Sequence, residues 1–504
     1  MIRQLLRPEA YGHPVAAGGP QLLETHLSWV LLSGPYAYKL KKPVAFGFVD
    51  FSTAELREQA CRDELRLNRR LSPERYLDVV PVYGPLEVAS FIPPATSPAV
   101  VLAWAVRMVQ FDQEQLLPAA LAAGQVGEGA IRELAERLAR FHRDAATAGP
   151  ETPWGQSDAV LQPVLDNLTA LADCPGAQAH LGPLTAWVRQ QAGALQPWFS
   201  QRQRGGHIRE CHGDLHLGNM LLGASGIEVF DALEFSETLR WIDPISELAF
   251  LVMDLAVRGR ADLGTLLLNS WVEASGDGEG LRGWAWYGVY RALVRAKVSW
   301  LRLKQSGLAA AESSRIQTEL ASYLGLAMDW IQRQSQPLVL MHGLAGSGKS
   351  SVAVALSQQL GAVVFRSDVE RKRLFGLWGV RPTRQLEGEL YGPAASRHLY
   401  ATTLPALVEA ASAGGLAVIV DACFLRRSER QLMVALAGKL GIPVQIVVCT
   451  APEPLLRQRL LERAAAGSDP SDATVEVLQS QHQWLEPLDQ DEKGLVMAAE
   501  ELVP

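Results

Sequence analysis

The chain has 504 residues, more than one hydrophobic core usually serves, so two or more domains are expected. Its composition, 48% hydrophobic and 20% charged, is that of a globular protein. A net charge of −7 gives no electrostatic footprint for nucleic acid, and no run of about 18 or more uncharged apolar residues marks a membrane-spanning helix.

Along the chain, Pro8 and Pro14 interrupt any signal-peptide apolar core. Five scattered cysteines lack paired spacing, as expected of reduced thiols in a cytoplasmic protein. Residues 29–33 and 36–40 are β-type runs around Ser33-Gly34-Pro35, a hairpin pattern, and residues 54–71 favour a helix. From about 115 to 205 the pattern is helical. There Ile131, Leu134, Leu138 and Phe141 define one buried face, with His142 read as a core histidine. Short strands return at 208–235 around a Gly- and Asp-rich turn, and 240–332 is helical again. The polar stretch 331–337 then precedes an apolar strand at 338–341. The expected domains are therefore 1–334 and 335–504. The second alternates strand and helix, as a parallel sheet would.

His212-Gly-Asp214-Leu-His-Leu-Gly-Asn219 fits the kinase catalytic-loop pattern H-x-D-L-x-x-x-N. Asp214 would orient or deprotonate an acceptor hydroxyl, while Asn219 and Asp231, twelve residues on, would hold Mg2+ on nucleotide phosphates. His212 and His216 are read as shaping the loop. Tyr36-Ala37-Tyr38-Lys39 places Lys39 as the nucleotide-facing strand lysine. Lys41 and Lys42 beside it make a surface basic run the rival explanation. Glu64 is its natural partner, with Glu55 and Glu58 open, and Glu234 is either a metal aid or an exposed carboxylate. The form His-Gly-Asp-Leu-His-x-Gly-Asn resembles aminoglycoside phosphotransferases and choline-kinase-like enzymes over roughly residues 20–300. The segments Leu67-Asn-Arg-Arg-Leu71 and Phe230-Asp-Ala-Leu-Glu-Phe235 are similar to that group. Two departures stand out. No G-x-G-x-x-G precedes Lys39, leaving residues 24–28 to cover phosphates, and Asp231 sits in Phe-Asp-Ala rather than Asp-Phe-Gly.

Gly343-Leu344-Ala345-Gly346-Ser347-Gly348-Lys349-Ser350, followed by Ser351, meets the Walker A pattern between a strand and a helix. Such a loop wraps phosphates with backbone N–H groups; Lys349 would reach the β/γ-phosphates and Ser350 would ligate Mg2+. Asp421, closing the apolar run 416–420, is a metal carboxylate or a strand cap. Asp368 is a catalytic carboxylate or a helix N-cap. Arg457, Arg459 and Arg463 cluster on a helix, as a phosphate lid or a solvated face. Residues 337–504 resemble small P-loop kinases grouped with zeta toxins, gluconate kinases and polynucleotide kinases, including a late Ser471-Asp472-Ala473 segment with Gln479 and Gln481. That resemblance implies an acceptor role for Asp368 and a lid formed by arginines of the 457–463 run, with Arg459 and Arg463 the candidates for nucleotide contact. The fusion as a whole resembles bacterial proteins described as bifunctional aminoglycoside-phosphotransferase-like and ATP-binding proteins.

The expected architecture is an N-terminal α+β protein-kinase-like fold joined to a C-terminal α/β P-loop kinase fold. The expected function is a bifunctional ATP- or GTP-dependent phosphotransferase that moves a γ-phosphoryl group to the hydroxyl of small-molecule acceptors, with no nucleic-acid or membrane partner. The rivals are a regulatory kinase-like half beside an active P-loop half, and an ATPase switch.

Overall fold

A computed structural model of the chain describes residues 1–46, 49–95, 99–333, 335–378, 390–466, 471 and 473–498. Asp472 of the late segment and Gln334 of the polar stretch lie outside the described residues. The chain packs into two compact units. One holds residues 1–130, 144–155 and 203–247; the other holds 131–143, 156–202 and 248–504.

The first unit is built on a five-stranded antiparallel sheet. Its strands are β1 (Gln21–Glu24), β2 (Ser28–Ser33), β3 (Tyr36–Lys41), β4 (Tyr76–Tyr83) and β5 (Val101–Val109), in the order β1-β2-β3-β5-β4. The hairpin read at Ser33-Gly34-Pro35 is the β2–β3 turn, with Ser33 opposite Tyr36. Strand alternation sends Tyr38 and Leu40 into a core with Leu31, Val82 and Ala105. It sends Ala37, Lys39 and Lys41 to the opposite face. Over the sheet runs α1 (Ala54–Asn68), opened by Thr53, whose Oγ1 accepts from Leu56 N at 3.2 Å. Its buried positions Ala60, Cys61, Glu64, Leu67 and Asn68 recur at helical spacing, and Cys61 packs with Tyr76 and Val106. The hairpin β6 (Met220–Gly223) and β7 (Gly226–Val229) follows the catalytic-loop sequence. This is the kinase-like fold the sequence predicts.

The second unit combines a helical bundle with the P-loop fold. The bundle includes α2 (Glu128–Asp144), α3 (Ser157–Ala170), α4 (Gln178–Arg204), α5 (Ala261–Ser275), α6 (Trp284–Leu303) and α7 (Ala310–Gln332). Ile131, Leu134, Leu138 and Phe141 are buried as their spacing requires. His142 is buried too, its Nδ1 accepting from Trp271 Nε1 at 3.0 Å. The P-loop fold runs β8 (Leu338–His342), α8 (Lys349–Leu360), β9 (Val363–Arg366), α9 (Ser367–Leu374), α10 (Leu404–Ala413), β10 (Val418–Asp421), α11 (Arg427–Leu440), β11 (Val444–Val448), α12 (Glu453–Ala466), α13 (Val475–Trp484) and β12 (Val496–Ala498). Its sheet is wholly parallel in the order β9-β10-β8-β11-β12, and residues 338–341 are fully buried. The Walker A loop follows β8, Asp368 follows β9 and Asp421 ends β10. All three sit at the carboxyl ends of neighbouring strands, where open α/β sheets bind ligands. Among the described residues no helix is long and apolar enough to cross a membrane.

Candidate active sites

In the first unit, β3 carries Lys39 under α1, and its Nζ lies 2.7 Å from Glu64 Oε1 and 2.5 Å from Asp231 Oδ1. Glu64 is therefore the α1 carboxylate that meets it; Glu58 instead pairs with Arg62. Burial opposes the charge on Lys39, yet Asp231 and Glu64 overcome it and hold the ammonium protonated well above its ordinary range. Burial likewise pushes against ionisation of Asp231, and Lys39 outweighs it, keeping the carboxyl below the usual range.

The surface basic run is not what the structure forms. Lys41, two residues on and so on the same strand face, is buried between Glu64 and Glu234. Glu234 is thus shut into an ion pair, and burial pushes its carboxyl up. Lys42 points the other way and binds Glu24 and the Thr25 carbonyl, pinning the β1–β2 turn that the sequence assigns to phosphates. Period two along β3 is the signal that would have found Lys41.

Asp231 has φ 64°, left-handed for a non-glycine residue. Two side chains hold its backbone there. The Tyr76 hydroxyl accepts from Asp231 N at 3.0 Å, and Asn68 Oδ1 accepts from Ala232 N at 2.8 Å. Asn68 belongs to the segment Leu67-Asn-Arg-Arg-Leu71, which gives that segment a physical role. A residue strained in this way and held from two sides suits a functional carboxylate.

The catalytic-loop residues are brought together. Asn219 Nδ2 donates to Asp214 Oδ2 and to the Asp214 carbonyl, each at 3.0 Å. His212 Nε2 donates to the Phe230 carbonyl at 2.9 Å, leaving Nδ1 to accept from Asp214 N at 3.3 Å. Burial lowers the His212 pKa, so the ring is a neutral brace of the loop rather than a charge. His216 Nδ1 accepts from Gly218 N and turns the chain towards Asn219. Arg66 of α1 forms a two-point pair with Glu210, at 2.9 and 3.0 Å, tying the helix that bears Glu64 to the strand entering the loop.

In the second unit, the Walker A loop closes tightly after β8. Gly343 has φ 145°, and a Cβ there would stand 2.2 Å from the Cys449 carbonyl oxygen; at Gly346, φ 81°, it would meet Leu456 O at 2.9 Å. No side chain fits either position. Gly348 caps α8, whose first residues are Lys349, Ser350 and Ser351. Lys349 Nζ donates to Leu344 O at 2.8 Å, folded back over its own loop. Burial raises the Asp421 carboxyl, against a hydrogen bond from Ser350 and the nearby charges of Lys349 and Arg366. Asp368 is the second residue of α9, where Arg366 occupies the N-cap, so it caps nothing; Tyr391 donates to its Oδ1 at 3.4 Å.

The three arginines of α12 separate. Arg457 pairs with Glu453 one turn away, Arg459 Nη1 donates to the Gly346 carbonyl at 3.1 Å, and Arg463 lines the cavity beside the loop. Gln481, in sequence only one member of the late segment, accepts from Ala345 N at 2.7 Å through its Oε1, inside the loop. No local pattern announces that contact. The cavity, about 370 Å3, is also lined by Lys349, Asp368, Arg371 and Asp421.

A family model described as "AAA domain" matches residues 338–488. Over 459 residues the chain is 32% identical to Uncharacterized protein Rv2004c of Mycobacterium tuberculosis, covering 90% of this chain and 88% of that one. The chain belongs to this family. The match covers 90% of this chain and so runs through both halves. Among solved structures, a choline/ethanolamine kinase family protein from Mesorhizobium loti is 13% identical with TM-score 0.36, covering 65% of this chain and all of that one. The APS kinase of Mycobacterium tuberculosis, in complex with AMPPNP and APS, is 23% identical with TM-score 0.25, covering 33% of this chain and 95% of that one. Neither likeness carries a substrate across to the family.

Proposed function

We propose that the chain is a bifunctional phosphotransferase whose functional halves, 1–334 and 335–504, each use a nucleoside triphosphate, ATP or GTP, to phosphorylate a hydroxyl of a small acceptor. The observation that carries the reading is the Lys39–Glu64–Asp231 ion-pair set beside an Asp214 carboxylate held by Asn219. A half kept only as a binding module would have no need of a positioned acceptor carboxylate.

In this reading Lys39 neutralises donor phosphates, and Asp214 orients the acceptor hydroxyl and takes its proton. In the P-loop half, the loop N–H groups and Lys349 hold the donor, Asp368 aligns the acceptor, and Arg459 and Arg463 close over the phosphates. The metal donors on offer are hard oxygens: Asp231, whose side chain is 44% exposed, with Asn219 in one half, and Ser350 with Asp421 in the other. They fit Mg2+, which would neutralise charge on the transferring phosphate. Five free thiols suit the reducing cytoplasm, where nucleoside triphosphates are abundant.

The test is nucleotide-dependent phosphate transfer to sugars, amino alcohols and aminoglycosides by wild type, Asp214→Ala and Lys349→Ala. Loss of different activities in the two variants supports two reactions. If Asp214→Ala changes nothing while Lys349→Ala abolishes all transfer, the kinase-like half is regulatory and the proposal fails.

A further inference from the structure

A second cavity in the P-loop-bearing unit, about 880 Å3, opens on the flank of α8 away from Asp368. It meets the nucleotide-side cavity only at Ser350, Arg366 and Asp421, which line both. One wall is α2. Arg132, Glu136, Arg140 and Arg143 fall at intervals of about four residues, so they share one helix face, the exposed one opposite Ile131, Leu134 and Leu138. The facing wall carries Arg366, Lys372 and Arg373 from β9 and α9.

The lining of this cavity carries an excess of cations. Six cations line it against three carboxylates, Glu136, Glu273 and Asp421. Arg366 already lies between two of those carboxylates, 4.0 Å from Glu273 and 3.7 Å from Asp421, and Arg373 is anchored on the Val272 carbonyl at 3.2 Å and paired with Glu370 behind the lining. Arg366 and Arg373 are therefore placed by the fold, in a protein whose net charge is −7. Between them lie the apolar side chains of Leu266, Val354 and Leu377. A volume of this size suits a small metabolite. One phosphate engages one wall; two phosphates on a short carbon skeleton engage both, and the skeleton meets the apolar floor.

We infer that this cavity is a second ligand site for a small bisphosphorylated molecule, bound between α2 and α9 against the first turn of the Walker A helix. Its occupant touches Ser350 and Ser351 directly, so occupancy is reported to the P-loop without passing through the acceptor side. The inference goes beyond the phosphotransfer proposed above and does not depend on it.

The test uses the full chain held in excess Mg-ADP, titrated calorimetrically with fructose 1,6-bisphosphate, with fructose 6-phosphate and inorganic phosphate in parallel. The bisphosphate should bind at least about tenfold more tightly than either, and weaken as salt rises. The double variant Arg132→Glu/Arg140→Glu should lose at least about tenfold in affinity, and Arg143→Gln a smaller factor. These side chains are exposed, and circular dichroism checks that each variant stays folded. Equal binding of bisphosphate and monophosphate, no binding, or unchanged affinity in the double variant overturns the inference. ADP binding is measured first in the same cell; its failure counts against the proposed phosphotransfer and leaves the bisphosphate titration valid.

Discussion

Lys41 Nζ lies 2.6 Å from Glu64 Oε2, with both side chains almost wholly shut off from water. The two oxygens of Glu64 are thereby divided, one for Lys39 and one for Lys41, and Lys41 also holds Glu234. A lysine away from the phosphates thus fixes the carboxylate that orients the one expected to face them. Replacing Lys41 with Met leaves buried Glu234 without its cation and Glu64 with Lys39 alone. The expected loss is about 3–5 kcal/mol of stability, read from urea unfolding. Lys39→Met should do less to stability but lower the Asp214-dependent rate about 100-fold or more. A Lys41→Met protein as stable as wild type would contradict this account.

Gln481 supplies the acceptor for an N–H inside the Walker A loop. Gln481→Ala should leave that group without its partner and loosen the loop, at a cost of about 1 kcal/mol in nucleotide binding, or roughly a fivefold weaker Kd. Calorimetry with ADP measures it. An unchanged Kd would mean the loop holds its shape unaided.

Asp421→Asn keeps the shape of the side chain and removes its charge. Wild type should bind ADP more tightly with Mg2+ than without, and the variant should lose most of that gain, at least about tenfold, while metal-free affinity stays put. Equal losses with and without the metal would assign Asp421 to the scaffold of β10 instead.

Burial holds the His212 ring below its ordinary 6.5. The unfolded chain therefore binds the proton more readily than the folded one. The stability this group contributes is fully present above pH 6.5 and falls as pH drops from there towards the lower folded value. His212→Asn should flatten the pH dependence of unfolding between about pH 7 and 5. Parallel wild-type and variant profiles over that window would show the ring carries no such linkage.

How far the sequence is legible depends on how local each signal is. Residues 343–350 and 212–219 announce themselves because a phosphate loop and a catalytic loop are each one continuous turn of backbone. The β2–β3 hairpin and the buried face of α2 follow from periodicity in the same way. Long-range pairings stay hidden. In sequence Glu64 is not separable from Glu55 and Glu58, because only packing of α1 on the sheet chooses among them. Gln481 and Asn68 reach groups 136 and 164 residues away, and no spacing rule connects such positions. Lys41 lies between these cases, since strand alternation places it beside Lys39 but not between Glu64 and Glu234.

Asn269 of α5 donates to the Ala362 carbonyl at 3.0 Å and accepts from Val364 N at 2.7 Å. Those two groups flank one residue on β9, an edge strand of the parallel sheet, and are what a neighbouring strand would take up. A single amide from the bundle thus acts as a one-residue surrogate strand, closing an edge that would otherwise template pairing with another molecule. Severing the chain near residue 335 would therefore strip this edge of the amide that covers it and leave both backbone groups open to a strand of another molecule.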